Sequence, residues 1–356
     1  MTTAPLPDFT HERVSTAVGE RSGLTMTVAL HSSAIGPALG GCRLWRYPSW
    51  IDGVADAMHL ASAMTLKNAL ADIGAGGGKS VIALGADDVL DDERRRDALL
   101  DLGDLVESFD GLYRTAEDVG TTEHDMLVVS ERTRHVVGLP AAHGGAGEPA
   151  EGTALGVYVS IERVVEQVFE SGTVSGRSFV ISGLGQVGSR LAIRLAAAGA
   201  RLSVTDINAT KQAFASSIGA QWISPEAALT TPADVFVPAG LGGILTPAAI
   251  TALPVRAVVG PANNPLAYAS GAEHLARRGI LYAPDFVVNA GGVIHLAMAG
   301  HGASEVEIDR RLRGIGDTLA DVFHAARAQG ITPLAAAVAL AVERVAQARE
   351  RRGALV

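Results

Sequence analysis

The sequence predicts an α/β protein of two domains, the second built on a parallel sheet. Length, a composition break and a change of pattern carry that expectation. The chain has 356 residues, more than one hydrophobic core usually serves. A stretch rich in glycine and carrying a proline, HGGAGEPAEG at 143–152, has the composition of a linker. Beyond it, short apolar runs alternate with helical stretches, the pattern of parallel strands covered by helices. These signals place a first domain at 1–145 and a second at 146–331, with a last helix over 332–356 packing back on the first.

The elements follow in order. Residues 13–18 and 24–30 alternate apolar and polar positions, and the first 45 residues read as antiparallel strands. Val54, Met58, Leu60, Ala61, Met64 and Leu66 give a helical pattern over 51–71. The glycines at 74, 76, 77 and 78 read as a turn leading through Lys79 into a strand at 80–84. Helix 92–109, strand 112–115 and helix 122–133 come next, with Arg94, Arg95 and Arg96 on a solvated face and Glu123, His124 and Asp125 on a surface helix. After the linker the pattern gives strand 178–182, helix 186–198 stopped at Gly199, and strands 202–205, 234–237 and 257–260. Helices at 303–329 and 332–351 close the chain.

Composition removes several function classes. Apolar residues make up 48% and charged residues 19%, enough material for packed cores. The formal charge of −9 argues against nucleic acid as a partner. One cysteine, Cys42, leaves no internal disulfide, and the ten histidines show no metal-ligand spacing. The N-terminus has no secretory pattern, and the apolar run at 333–342 is too short to span a bilayer. A soluble, cytoplasmic protein without a metal or a membrane partner is expected.

The clearest ligand signal is Gly183-Leu-Gly-Gln-Val-Gly188, a G-x-G-x-x-G that follows a strand and opens a helix. Gly183 allows the tight turn, Gly185 the approach of a pyrophosphate, and Gly188 close helix–strand packing. The N–H groups around Gln186 and Val187 would face the phosphates. Asp206 ends the next strand, placed to accept from the adenosine ribose hydroxyls and to repel a 2′-phosphate. This context predicts a Rossmann-type domain that binds NAD rather than NADP.

A second signal is scarcity. Of 29 basic residues only Lys67, Lys79 and Lys211 are lysine, leaving 26 arginines. Arginine cannot give up its proton in a protein, whereas a desolvated lysine can. Lys211 reads as a solvated surface residue. Lys67 and Lys79 lie twelve positions apart around the glycine cluster. One ammonium could pair with a substrate carboxylate, and the other, buried beside a charged neighbour, could act as a base.

Around these residues the chain resembles the amino-acid dehydrogenases that act on glutamate, leucine, valine and phenylalanine. The resemblance runs through Gly36-Pro-Ala-Leu-Gly-Gly-Cys-Arg43, Met64-Thr-Leu-Lys-Asn-Ala69, Gly76-Gly-Gly-Lys-Ser80 and Thr115-Ala-Glu-Asp-Val-Gly-Thr121. It continues through Gly183–Gly188, Leu241-Gly-Gly243, Ala262-Asn-Asn264, Gly279-Ile-Leu-Tyr-Ala-Pro-Asp285 and Asn289-Ala-Gly-Gly292. Pro261 and Ala239-Gly240 depart from the family pattern. Length is closer to the leucine/valine/phenylalanine branch.

The resemblance implies an N-terminal substrate and oligomerisation domain, a homo-oligomer, and oxidative deamination of an L-amino acid to a 2-oxo acid and ammonia. Lys67 resembles the lysine that binds the substrate carboxylate, helped by backbone at Gly40 and Gly41. Lys79 resembles the catalytic lysine that activates water, and Asp118 the carboxylate that exchanges protons with the amino group. Asn263 and Asn264 resemble residues lining the nicotinamide and the substrate carboxylate, and Asn289 the one bonding the carboxamide. Leu39, Ala116, Val293 and Leu296 match the side-chain pocket. Leu39 and Ala116 resemble the branched-chain enzymes, whereas Ile294-His295-Leu296 resembles phenylalanine dehydrogenase; branched-chain substrates are favoured. The rival class is a non-catalytic NAD-binding protein on the same fold.

Overall fold

The computed structural model describes residues 8–143, 145, 149–300 and 302–354. The rest of the expected linker, at 144 and 146–148, lies outside the described residues. The chain divides into two units. One takes in residues up to 148, with 296–303 and 341 onward; the other takes in 149–295 and 304–340.

The first unit runs β1 (Arg13–Val18), β2 (Thr25–Ser32), β3 (Ala38–Leu39), β4 (Cys42–Arg46), α1 (Trp50–Ala71), β5 (Gly76–Leu84), α2 (Asp92–Glu107), β6 (Tyr113–Arg114) and α3 (Glu123–Ser130). The sheet order is β1-β2-β5-β3-β6, and β4 also pairs with β5. β2 lies antiparallel to β1 on one side and to β5 on the other, but β3 and β4 both lie parallel to β5. The all-antiparallel expectation is therefore corrected at β3 and β4. The cause is α1, a crossover that returns the chain to enter β5 in the direction of β4.

One face of this sheet packs on α1 through Ala29, Val54, Ala57, Met58, Ala61 and Val81. The other packs on α2 and α3 through residues such as Met26, Val28, Ile82, Leu102 and Met126. Gly74, exposed with φ +66°, does turn the chain, whereas Gly76, Gly77 and Gly78 lie inside β5, buried. A Cβ on Gly77 would stand 2.1 Å from the Thr65 backbone nitrogen, so this glycine admits α1 rather than bending the strand. The arginine face stays solvated at Arg96, 51% exposed, and is corrected at Arg94 and Arg95, which are half-buried. Arg94, Arg95 and Arg96 pair with Asp88, Asp125 and Glu131 at 2.9, 2.7 and 2.6 Å, and Asp125 is buried.

The second unit opens with a helix that the pattern did not suggest, α4 (Ala150–Phe169), followed by β7 (Ser178–Ser182), α5 (Gln186–Ala197), β8 (Arg201–Thr205), α6 (Gln212–Ser217) and β9 (Gln221–Trp222). Then come β10 (Val235–Pro238), α7 (Pro247–Ala252), β11 (Ala257–Val258), α8 (Gly271–Arg277), β12 (Leu281–Tyr282), α9 (Asp285–Val288), α10 (Gly291–Ala299), α11 (Glu305–Gln329) and α12 (Pro333–Gly353). α10 and α12 each contribute residues to both units. The sheet order is β12-β11-β10-β7-β8-β9, every pair parallel. Successive strands run outward in one direction from β7 and in the other from β10. The reversal makes a switch point at the carboxyl ends of β7 and β10, where open α/β sheets bind ligands.

Candidate active site

Strand register builds the first cluster. Ala38 and Leu39 pair with Gly76 and Gly77, and Cys42 pairs with Ser80. The register is unbroken, so the two residues between β3 and β4, Gly40 and Gly41, fall beside Gly78 and Lys79. On the other side, Ala38 and Leu39 pair with Tyr113 and Arg114, and Cys42 bridges Glu117. Counting on, Gly41 falls beside Ala116 and Arg43 beside Asp118. Residues in register share a face, and alternate residues of a strand share it too. Leu39, Gly41, Arg43, Lys79, Ala116 and Asp118 therefore sit on the face covered by α1.

Gly41 is what lets the charged groups meet. A Cβ there would stand 2.9 Å from the Asp118 Cβ and 2.4 Å from the Glu117 carbonyl oxygen. Across that gap Lys79 Nζ lies 2.8 Å from Asp118 Oδ2, its side chain only 6% exposed. Burial opposes ionisation of Asp118, but the Lys79 ammonium, its hydrogen bond and the Arg43 guanidinium outweigh it and hold the carboxyl below its usual range. Asp118 does not cap α3, whose N-cap is Thr122. The Asp118 N–H donates to Thr121 Oγ1 at 2.9 Å, and that hydroxyl donates to the Cys42 carbonyl at 2.8 Å.

Lys67 is half-buried on α1, which continues past it to Ala71. Its neighbour Asn68 donates to the carbonyls of Leu39 and Gly76 at 3.0 and 2.6 Å. That ties the lysine-bearing turn of the helix to the strands holding Gly40 and Lys79. Leu39 and Ala116 are buried. Leu296 is buried too, and a Cβ on Gly138 would meet its Cδ2 at 3.5 Å. Val293 belongs to the second unit.

The second cluster lies at the carboxyl ends of the parallel strands. Gly183 follows β7 with φ +114°, and a Cβ there would stand 2.6 Å from the Gly240 nitrogen in the loop after β10. Only glycine serves both demands. A Cβ on Gly188 would stand 2.2 Å from the Gly183 carbonyl oxygen, whereas one on Gly185 would meet nothing within 4 Å. The first, second and third glycines thus turn, open and pack in the manner of a pyrophosphate loop. Gln186, Val187 and Gly188 form the first turn of α5, capped by Gly185. Asp206, just past β8, accepts from Leu184 N–H at 2.6 Å and Asn208 N–H at 2.8 Å.

Beyond β11 and β12 the asparagines assemble. Asn289 donates Nδ2 to the Pro261 carbonyl at 3.1 Å and to Asn263 Oδ1 at 2.8 Å. The carbonyl of Pro261, the residue that departs from the family pattern, thus holds this amide. Asn289 Oδ1 is buried and has no hydrogen-bond partner among the described residues, an acceptor suited to a carboxamide N–H. Asn264 is exposed with φ +48°, its backbone N–H held by Asp285 Oδ2 at 2.8 Å, and Asp285 Oδ1 accepts from the Tyr282 hydroxyl. An open glycine loop, a ribose-type carboxylate and an unsatisfied buried acceptor fit a nicotinamide dinucleotide. Sequence reasoning did not assign Asp285, Arg43, Asp56 or Tyr47. For Arg43 a signal existed, its place two residues beyond Gly41 on a strand.

A doubly wound sheet with this loop, and a unit carrying an ammonium–carboxylate pair at 2.8 Å, are the parts of a nucleotide-dependent enzyme. Residues 9–135 match the family model of the Glu/Leu/Phe/Val dehydrogenase dimerisation domain, and residues 203–353 match that of Glutamate/Leucine/Phenylalanine/Valine dehydrogenase. The chain is 36% identical to the leucine dehydrogenase of Thermoactinomyces intermedius, covering 97% of this chain and 93% of that one. It is 39% identical to the valine dehydrogenase of Streptomyces albus, covering 96% and 94%. The crystal structure of L-tryptophan dehydrogenase from Nostoc punctiforme superposes with a TM-score of 0.83 at 33% identity, covering 96% and 97%. The chain belongs to the glutamate/leucine/phenylalanine/valine dehydrogenase family and is an amino-acid dehydrogenase. Among the described residues no single helix is long and apolar enough to cross a membrane.

Proposed function

We propose that this enzyme catalyses the reversible, NAD-dependent oxidative deamination of an apolar L-amino acid, branched-chain such as leucine or valine, to the 2-oxo acid and ammonia. It works as a cytoplasmic homo-oligomer. The Lys79–Asp118 pair at 2.8 Å beside Gly40 and Gly41, its lysine buried, carries this reading. It places a proton acceptor and an amine together beside the backbone of Gly40 and Gly41.

The roles follow from the chemistry each group can do. Lys67, with backbone at Gly40 and Gly41 and the Asn264 amide, holds the substrate carboxylate by charge-assisted hydrogen bonds. Asp118, held ionised, takes a proton from the substrate ammonium and frees the nitrogen lone pair that must form the iminium. NAD, bound by Gly183, Gly185, Gln186, Val187, Gly188 and Asp206 with Asn263 and Asn289 at the nicotinamide end, supplies the hydride acceptor. Lys79, as the neutral amine, removes a proton from the water that attacks the iminium carbon. Asp118 returns a proton to the departing nitrogen, so the same carboxylate serves both directions.

Leu39, Ala116, Val293 and Leu296 supply the apolar side-chain pocket. The leucine and valine dehydrogenase relatives support branched-chain substrates, while the tryptophan dehydrogenase likeness warns that this fold also takes large rings. One methylene in an apolar pocket is worth only about 1–3 kcal/mol. The deciding assay is ammonia-dependent NADH oxidation with a panel of 2-oxo acids. The oxo acids of leucine and valine should exceed phenylpyruvate in kcat/KM. A reversed order would replace branched-chain by aromatic substrate, and turnover without ammonia would overturn oxidative deamination.

Asp206 sets the cofactor. Both its oxygens already take backbone N–H groups, which fixes the carboxylate where a 2′-phosphate would need a cation. NAD should exceed NADP in kcat/KM, and Asp206→Ala should raise the KM for NAD with little change in amino-acid preference. Equal use of both cofactors by the wild type would remove this role.

A further inference from the structure

The Lys79–Asp118 pair is one end of a longer chain of charges. Arg43 Nε lies 3.3 Å from Asp118 Oδ2, the oxygen that Lys79 also reaches. From the other side, Arg43 Nη1 lies 3.0 Å from Asp56 Oδ2 on α1, and the Tyr47 hydroxyl donates to that same oxygen at 2.6 Å. The side chains of Arg43, Asp56 and Asp118 are 25%, 26% and 25% exposed, so water screens these contacts only in part. Charges alternate from Lys79 through Asp118 and Arg43 to Asp56, and a hydroxyl ends the row.

We propose that Arg43 is a positioning residue for the deamination: anchored by Asp56 and Tyr47, it keeps the Asp118 carboxylate ionised and turned toward Lys79 throughout turnover. The proposal rests on the reading that Asp118 exchanges a proton with the substrate amino group. Lys79 must be neutral for part of that cycle, and at that stage Asp118 loses one of its two cations. A guanidinium keeps its charge at every working pH, so Arg43 supplies the constant field that Lys79 cannot.

Asp56 has a second consequence. An arginine facing one carboxylate tends to close on it with two parallel hydrogen bonds, which would draw Asp118 away from Lys79. Here one arm is spent on Asp56 and only Nε faces Asp118. Tyr47 is pushed upward by burial and by its bond to Asp56, so it stays a protonated donor. Three other groups near Asp118 add no free charge to it. The Cys42 thiol is pushed up to about 12 by burial, the Tyr113 hydroxyl is raised by burial, and Asp125 is taken up by Arg95.

The test uses Arg43→Gln, Arg43→Lys and wild type, with two readouts. In the first, the Asp118 carboxyl is titrated by carbon-13 NMR of aspartate-labelled protein, assigned by its absence in Asp118→Asn. The midpoint should move to higher pH in Arg43→Gln and return toward wild type in Arg43→Lys, which restores charge without the second arm. In the second, kcat should fall about 10²-fold in Arg43→Gln, the scale of a misplaced catalytic group, with amino-acid KM nearly unchanged and partial recovery in Arg43→Lys. An unmoved midpoint, or a normal kcat with only lowered thermal stability, would make Arg43 a structural brace and overturn the proposal. Failure of the deamination reading looks different. Wild type would then oxidise no amino acid, while the carboxyl titration would still report on Arg43.

Discussion

Lys79→Ala and Lys79→Arg are each expected to lose about 10²–10⁴-fold in kcat, the range of a lost general base, while retaining NADH binding. Alanine removes the amine. Arginine keeps a positive charge beside Asp118 but cannot give up a proton, so it separates base chemistry from electrostatics. Its larger head must enter a site where the lysine side chain is only 6% exposed, so urea unfolding of both variants belongs with the kinetics. NADH titration reports on the second unit, which carries Gly183–Gly188 and Asp206, and should be unaffected. A folded Lys79→Arg enzyme with near-normal turnover would end the base assignment and leave only a charge to explain.

The second unit was the more legible in sequence, for a physical reason. Strands buried on both faces are continuous apolar runs, and β7 and β8 emerge within a residue of expectation. β9 and β12, two residues each, are too short to carry a pattern. α4 escaped because its first turn falls in the glycine-rich stretch, although Leu155, Val159 and Ile161 lie on its buried side. In the first unit, strand direction is a property of the connection through α1, not of the strand's own residues. Gly77 shows the limit most plainly. A glycine signals that a side chain is not tolerated, but only the packed structure tells whether a turn or an approaching helix is the cause.

The site divides in the same way. Lys79 and Asp118 stand out as residues, one by scarcity of lysine and both by family resemblance. Their meeting depends on Gly40 and Gly41 holding β3 and β4 in one register along β5. Sequence reading set Lys79 against Lys67 as its charged neighbour; the structure adds Asp118, 2.8 Å away. Arg43, Tyr47 and Asp56 come from β4, the turn after it and α1, and their side chains converge only once α1 lies over the sheet.

Asp118→Asn is expected to cost both stability and activity, with different responses to pH. In the wild type the carboxylate neutralises a nearly buried Lys79 and shares Arg43 with Asp56. An amide leaves two cations with one exposed-side carboxylate, so the stability loss at neutral pH should lie at the lower end of the roughly 3–5 kcal/mol for breaking a buried pair. The carboxyl is held below its usual range. Its contribution is therefore complete above the unfolded value of about 3.9 and disappears as pH falls through the lower folded value. The gap between wild type and Asp118→Asn in urea-derived stability should stay level from about pH 7 to 5 and close on further acidification. A gap that widened with acid would mean that Lys79 and Arg43 do not stabilise the charged form. Activity should behave otherwise. The amide accepts no proton at any pH, so kcat should fall by about 10²–10⁴-fold and should not recover as pH is raised. An Asp118→Asn enzyme with wild-type kcat would remove Asp118 from the proton exchange and leave it a purely structural partner of Lys79.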